Sequence, residues 1–302
     1  MPSPRTPTAA GRFALELDGA FAGPLASSLG GDAVADVVTD TGPDGTPRKR
    51  LGAVRYTDIV LTCGLGMEEV FWTWLRDTAE GSGARSRSGA VLVGDFNSRV
   101  RTRLVFEDAL ITEIGFPALD GSSKDALRLT VRIAVASVRR EKGDGAVMGS
   151  IGPKQKTALI SNFRVALGRL PSDRVSKVDA LTIRQAVTGD AIGAVRDPRR
   201  EAGALDFSDV VVAVAAVDAE AFREKHHAFV VKGDNGPDQE LDGSVELLTS
   251  DLSAVLFRID LLGLGPYALA DLVEGGAEAV SRVTARFYCQ RMRLVPPDKL
   301  PR

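Results

Sequence analysis

The chain carries one pattern twice, and that repetition limits what it can fold into more than any other feature. Pro47-Arg48-Lys49 aligns with Pro198-Arg199-Arg200, and Gly52-Ala53 with Gly203-Ala204. Asp58-Ile59-Val60-Leu61 aligns with Asp209-Val210-Val211-Val212, and Glu69 and Phe71 with Glu220 and Phe222. Each pair stands 151 residues apart, and so do Phe106 and Phe257. Near the end the spacing becomes 152, where Val131, Ile133 and Val135 meet Val283, Ala285 and Phe287. Solenoid repeats have periods of about 20–50 residues. A period this long describes a whole small domain, duplicated and fused, each copy large enough to bury its own core.

Within each copy the apolar pattern alternates with the period of strands. In the first copy, Phe13, Leu15 and Leu17 alternate into the turn Asp18-Gly19, and Val34 to Thr39 forms a second strand. Asp40 to Pro47 breaks regular structure and leads into the basic cluster Arg48-Lys49-Arg50. Tyr56 to Thr62, Ala90 to Asp95, Arg99 to Ile114 and Leu127 to Arg139 read as further strands. One helix is expected over Met67 to Ala79, with Val70, Phe71, Trp74 and Leu75 on one face and Glu68 and Glu69 suiting its first turn. The second copy repeats this order. Its strands fall at Phe163 to Leu167, Leu181 to Ala186, Val210 to Val217, Val245 to Leu248, Ala254 to Leu262 and Ala279 to Met292. Its helix is Asp218 to Phe229, with Asp218 as N-cap. The fold class is therefore mainly β (a β-rich α+β chain), as two tandem antiparallel barrels or sandwiches with one helix each. The expected organisation is a flexible arm (1–10), a first domain (11–142), a linker (143–160), a diverged second domain (161–295) and a tail (296–302).

Bulk chemistry excludes several classes of function. A formal net charge of −2, with both signs interspersed, leaves no basic footprint for specific nucleic-acid binding. Two cysteines, Cys63 and Cys289, make no disulfide framework and point to a reducing compartment. Met1 to Gly11 lacks the basic start and apolar run of a signal peptide. No run approaches the ~18 apolar residues of a membrane span.

Catalytic and metal-binding readings find little support. His226 and His227 are adjacent on the second helix and point about 100° apart, so both cannot readily serve one ion. Gly64-Leu65-Gly66 and Gly263-Leu264-Gly265 lack the context of a phosphate loop. Turn-type acids are numerous, and no carboxylate pair stands out for acid–base work. We expect no cofactor, no metal and no enzyme activity.

The order of motifs in 11–142 resembles the tail-tube protein family of contractile-tail phages and the inner-tube proteins of extracellular contractile injection systems. Phe13-Ala-Leu-Glu-Leu-Asp-Gly19 matches the family's opening strand and D-G turn. Ala22-Gly-Pro-Leu-Ala-Ser-Ser-Leu29 is similar to its A-G-F…S-G-L stretch, departing at Pro24 and Ser28. Arg48-Lys-Arg-Leu-Gly52 follows R-K-L-P-G, and Tyr56-Thr-Asp-Ile-Val-Leu-Thr-Cys-Gly64 follows Y-x-[ND]-I-x-L-x-x-G. Val70-Phe-Trp-Thr-Trp74 fits the L-W-x-W helix core. Phe106-Glu-Asp-Ala109, with Gly115-Phe-Pro117 beyond it, stands for F-x-N-A-W-P. The second copy shows the family only through the first. The resemblance implies rings of subunits that lend strands to a shared inner barrel. Its partners would be the chain itself, as a trimer or hexamer, together with tube, sheath or baseplate proteins. It implies assembly in the cytoplasm into a virion tail or injection particle. A second, diverged domain favours a specialised ring over an identical repeating tube. The competing class is a stand-alone binding module or an enzyme on a duplicated β domain.

Six residues are candidates for the assembly interface. Arg48, Lys49 and Arg50, and at the equivalent place Arg199 and Arg200, are either solvated loop residues or charges that set orientation across a subunit contact. Trp72 is either boundary packing or an interface anchor, while Trp74, two positions on, belongs to the core.

Overall fold

A computed structural model of the chain describes residues 12–82, 85–149, 158–190, 199–272 and 282–296. The expected arm at 1–10 and the tail beyond Pro296 lie outside these residues. The architecture is mainly β, and its named strand pairings are antiparallel.

The first half comprises β1 (Arg12–Leu17), β2 (Ala20–Leu29), β3 (Ala33–Thr41), β4 (Pro47–Tyr56), β5 (Ile59–Cys63), α1 (Glu69–Glu80), β6 (Arg87–Gly94), β7 (Val100–Phe116), β8 (Leu119–Asp120), β9 (Leu129–Ala134) and β10 (Ser137–Lys142). Alternation decides what faces inward. Ile59, Leu61 and Cys63 are buried in β5, as are Leu129, Val131 and Ile133 in β9, with the residues between them turned outward. The strand path runs β7-β6-β1-β2-β5-β9 and returns to β7, which pairs with β6 through its first part and with β9 through its second. The path closes on itself through β7, and the outer sides of the two parts of β7 are taken by β10 and by a strand of the second half.

Glycine makes one of these pairings possible. A Cβ on Gly89 would lie 2.1 Å from the Glu16 carbonyl oxygen and 2.9 Å from the Phe106 ring. The helix α1 covers one opening of this half. Phe71, Trp74, Leu75 and Thr78 are buried at helical spacing, and the helix ends at Gly81, whose left-handed backbone (φ 65°) returns its N–H to the Asp77 and Thr78 carbonyls.

The second half comprises β11 (Phe163–Leu167), β12 (Val175–Val178), β13 (Leu181–Asp190), β14 (Arg199–Phe207), β15 (Val210–Ala215), α2 (Ala219–His226), β16 (Leu241–Leu248), β17 (Val255–Leu272) and β18 (Arg282–Val295). Its pairings repeat those of the first half one for one. β11 pairs with β16, β16 with β17, β17 with β18, β18 with β15 and β15 with β12, as β1-β6-β7-β9-β5-β2 do. Irregularities recur as well. The bulges at Ala26 and Thr112 correspond to those at Ser176 and Tyr267, and the bulge at Gly52-Ala53, opposite Asp36, corresponds to that at Gly203-Ala204, opposite Ala186. Gly243 stands where Gly89 does, with its Cβ position 2.5 Å from the Ala166 carbonyl oxygen.

This register corrects two alignments made on spacing alone. Phe106 lies opposite Gly89, whereas Gly243 lies opposite Leu261, so Leu261 is the counterpart of Phe106 and Phe257 that of Thr102. Likewise Ile59 faces Ile133 and Val210 faces Phe287, so Ile133 corresponds to Phe287 and Val131 to Ala285. The helix differs too: α2 ends at His226 and continues as a π-helical turn from His227 to Val231. The Asp218 side chain makes no cap hydrogen bond and lies instead 3.9 Å from Arg174.

One pairing is missing from the second half. β1 and β2 form a full ladder, but β11 and β12 do not pair; only the turn bridge Leu167–Leu170 remains between the end of β11 and the segment leading to β12. β12 turns to pair with β8 of the first half, Lys177 facing Asp120. A cleft of about 280 Å³ opens beside the split, bordered by Phe163, Val165, Val175 and Leu252. Residues 143–149, expected within a linker, pack on the first half, where Met148 is buried against Ala14, Ala90, Leu92 and Val100.

Phe71 and Phe222, at 0% and 1% exposure, are buried at equivalent helix positions; Phe222 meets Phe287 of its own half, while α1 packs most extensively on β18 of the other half. Truncating either to Ala is expected to cost about 3–5 kcal/mol, the range for a core aromatic, read as a lowered urea midpoint.

Candidate assembly surface

The most exposed regular element is the hairpin of β3 and β4. A two-stranded ribbon is marginal alone in water, and this one rests on little of its own chain. Nearly every residue from Ala33 to Tyr56 is exposed, including Val37 (61%), Leu51 (72%) and Val54 (57%). Across the ladder, Val37 faces Leu51 and Ala35 faces Val54, which gives the ribbon apolar cross-strand pairs with no cover. The hairpin leaves the barrel at Gly30 and Gly31, both with positive φ; a Cβ on Gly30 would lie 2.0 Å from the Asp58 carbonyl oxygen. Its base is clamped by Thr57, whose N–H donates to the Asp32 carbonyl and whose Oγ1 accepts from the Asp32 N–H at 3.0 Å.

The basic cluster lies on this ribbon. Arg48, Lys49 and Arg50 belong to strand β4, not to a loop. Arg48 pairs with Asp44 at 3.1 Å and Arg50 with Asp40, while Arg55 reaches Asp36 at 2.7 Å. The acids come from the turn and the opposing arm, so the positive run in sequence becomes a mixed surface in space. Hydrogen bonds from Thr46, with Arg48 beside it, hold the Asp44 carboxyl below its ordinary value. Exposed pairs of this kind contribute about 0–1 kcal/mol each and serve register more than stability. Arg199 and Arg200 occupy the matching positions at the start of β14, opposite Asp190 and Gly189 as Arg48 and Lys49 are opposite Asp40 and Thr39.

The second hairpin, β13 with β14, shows such a ribbon in a seated state. Its base has the same clamp, with Ser208 Oγ accepting from the Thr182 N–H at 2.9 Å. But β13 also lies along the second part of β7, with Leu181 facing Phe116, Ile183 facing Ile114 and Arg184 facing Glu113. The two halves are thereby joined in one continuous sheet. Leu181 and Ile183 fall to 2% exposure, and Arg184 Nε bonds Glu113 at 3.1 Å. Beyond this ladder lies an aromatic cluster. Trp72 of α1 is 5% exposed and stacks at 4.9 Å on Phe257, which also meets Phe116 at 5.6 Å. The indole N–H of Trp72 donates to the Met67 carbonyl at 3.0 Å. Trp72 therefore packs between the halves of its own chain, and Trp74 lies in the core. Only the ladder identifies this seam; the sequence signal was the paired apolar residues Leu181 and Ile183 after a turn.

Elsewhere the chemistry is quiet. Burial pushes the Cys63 thiol up to about 12 and the Cys289 thiol up to about 11, so neither is poised as a nucleophile. His226 is half-buried and His227 exposed where α2 meets the π-helical turn. Among the described residues no group of His, Cys, Asp and Glu is arranged to hold a metal, and no helix is long and apolar enough to cross a membrane.

No protein-family model matches the chain, and no curated protein matches it. Among solved structures it is similar to a protein of the sheath–tube complex of an extracellular contractile injection system in the extended state. That likeness has 18% identity and a TM-score of 0.40, over 46% of this chain and 94% of the other. It is similar to a protein of the tube-terminating cap of the anti-feeding prophage, at 16% identity and a TM-score of 0.41, over 47% and 96%. A third is a protein of the six-fold symmetrised baseplate of that prophage, at 15% identity and a TM-score of 0.38, over 49% and 98%.

The seam between the halves has a pH signature. Hydrogen bonds from Ser122, with Lys177 at 2.9 Å, hold Asp120 at about 2, below its ordinary 3.8. A folded value below the unfolded one adds stability above the unfolded value, lost as pH falls through the folded one. The stability gap between the wild type and Asp120→Asn is therefore expected to be full above about pH 4 and to close toward about pH 2, as followed by chemical unfolding.

Proposed function

We propose that this chain is a structural ring component of a contractile tail-like injection apparatus, forming or capping a ring of its inner tube. The role is one of assembly, not catalysis. It would be made in the cytoplasm and end in a virion tail or injection particle, against tube, sheath or baseplate proteins. Two supports carry this reading: the ordered motifs of residues 11–142, and the recurrence of one strand topology in both halves. The single strongest observation is the seam. A hairpin of one half completes the sheet of the other through main-chain hydrogen bonds, so the chain already contains one copy of a contact that can build a shared barrel wall.

The halves are inferred to be a duplicated domain, with limits near 11–142 and 161–295. The second has lost one ladder and carries an open split. A ring with two unlike kinds of unit presents unlike faces, which suits a position used once, at the baseplate or an end, better than an indefinitely repeated one.

Negative-stain electron microscopy of the purified chain tests the proposal. Hollow rings are expected, without growth into long tubes. Dispersed monomers at every salt concentration would overturn the ring, and long tubes would overturn the specialised position.

A further inference from the structure

The chain ends its sheets on two edges that match each other as β13 matches β7. On β7, the second part of the strand pairs with β9 on one side and with β13 on the other. On β17, the equivalent stretch, Ala268 to Ala270, pairs with β18 on one side, and among the described residues no strand lies on the other. On β13, one side faces β14 and the other faces β7; on β3, one side faces β4 and the other faces no strand among the described residues. The correspondence is close. Both long strands bulge at the same place, Thr112 and Tyr267. Both hairpins carry the same bulge, at Gly52-Ala53 and Gly203-Ala204, and the same hydroxyl clamp from Thr57 and Ser208.

Resting on the ring reading above, we propose that β3 of one copy adds onto β17 of a second copy in the register of the internal seam. Ile183 facing Ile114 becomes Ala33 facing Leu269, and Arg184 facing Glu113 becomes Val34 facing Ala268. Burial supports the vacancy of both edges. Ile183 and Ile114 are 2% and 0% exposed, whereas Ala33 and Val34 are exposed and Leu269 is only half-buried. The partner is a second copy of this chain, because the complementary edge belongs to this chain's own other half. The contact is head-to-tail, so it propagates from copy to copy until it closes. Each chain supplies two units in succession, and closure with three chains gives a pseudo-sixfold ring.

The new seam differs from the internal one in chemistry. Trp72, Phe116 and Phe257 make the internal seam dry. Their counterparts are Arg223, Asp271 and Thr102, and Arg223 already pairs with Asp271 at 2.7 Å. The seam between copies is therefore polar where the seam within a copy is aromatic, and the ring comes apart into intact chains.

Facing residues in an antiparallel pair alternate between a hydrogen-bonded and a non-hydrogen-bonded type, whose side chains differ in separation and so in how readily they form a disulfide. Two neighbouring pairs are therefore tested in the full chain: Ala33→Cys with Leu269→Cys, and Val34→Cys with Ala268→Cys. The native cysteines are buried and stay out of the reaction. After mild oxidation, one of the two double variants should run as a covalent trimer on a non-reducing gel, with three chains by native mass spectrometry. Mixed single variants should stop at dimers. Rings that form but cross-link at neither pair would overturn the register while leaving the ring standing. A single variant that cross-links as well as its double would mean like edges meet, which also overturns the register. A covalent hexamer overturns the three-chain closure. A chain that stays monomeric overturns the ring reading and this one together.

Discussion

An unpaired strand edge is the constraint from which the rest of this structure follows. Each open edge presents a row of N–H and C=O groups that will pair with whatever strand arrives. In the first half the problem is solved by closure, with β7 accepting β6 and β9 on its two parts. In the second half closure fails, because β11 and β12 do not pair. The edge of β12 is then capped by β8, two residues long, through Lys177 and Asp120. A hairpin that would protrude is instead laid along β7. The second half thus relies on the first to cover edges that its own strands leave open. One apolar core running through both, from Leu15 to Leu294, reflects that dependence.

Much of this was legible in the sequence, and the parts that were not have physical reasons. The alternation in β1, β5, β9, β15 and β18 marked strands because each has one buried face. The spacing of 151 is right through β5 and α1. It then slips because the segment from Ser82 onward is shorter than its counterpart: residues 81–86 join α1 to β6, but 232–240 join the π-helical turn to β16. Apolar parity survived the slip, so a wrong pairing such as Phe106 with Phe257 still looked sound. The strand β2 was missed as a strand because Gly23 and Pro24 interrupt it. Pro24 is tolerated since it precedes Leu25, where pairing with β5 begins, and its absent N–H breaks no bond on that side. The basic cluster reads in sequence as an unpaired positive run because its acids, Asp44 in the turn and Asp40 on the facing arm, meet it only when the hairpin folds.

Trp72 illustrates what a sequence cannot rank. Helical spacing separates it from Trp74 and puts it at a boundary. Whether that boundary meets solvent, a neighbouring subunit or another part of the same chain depends on Phe257, which is 185 positions away. Contacts at that separation carry no local signature. They also close a long loop, whose entropic cost grows only slowly with length, so a fused second half can supply the anchor at little added cost.

Divergence between the halves is uneven, and its distribution is informative. The features that set backbone shape are kept: Gly89 and Gly243 under the crossing strand, three bulges in matching positions, and the clamp from Thr57 and Ser208. What has changed lies where units meet. The aromatic trio of one seam is answered by Arg223, Asp271 and Thr102, and the ladder between β1 and β2 has no full counterpart. A change inside a packed core costs several kcal/mol, whereas a change at a seam alters which neighbour is accepted and how firmly. In the assembly proposed above, two halves with one backbone plan and unlike edges divide one binding task into two. One edge would be permanent and dry, fixed by covalent linkage of the halves, and the other polar and reversible.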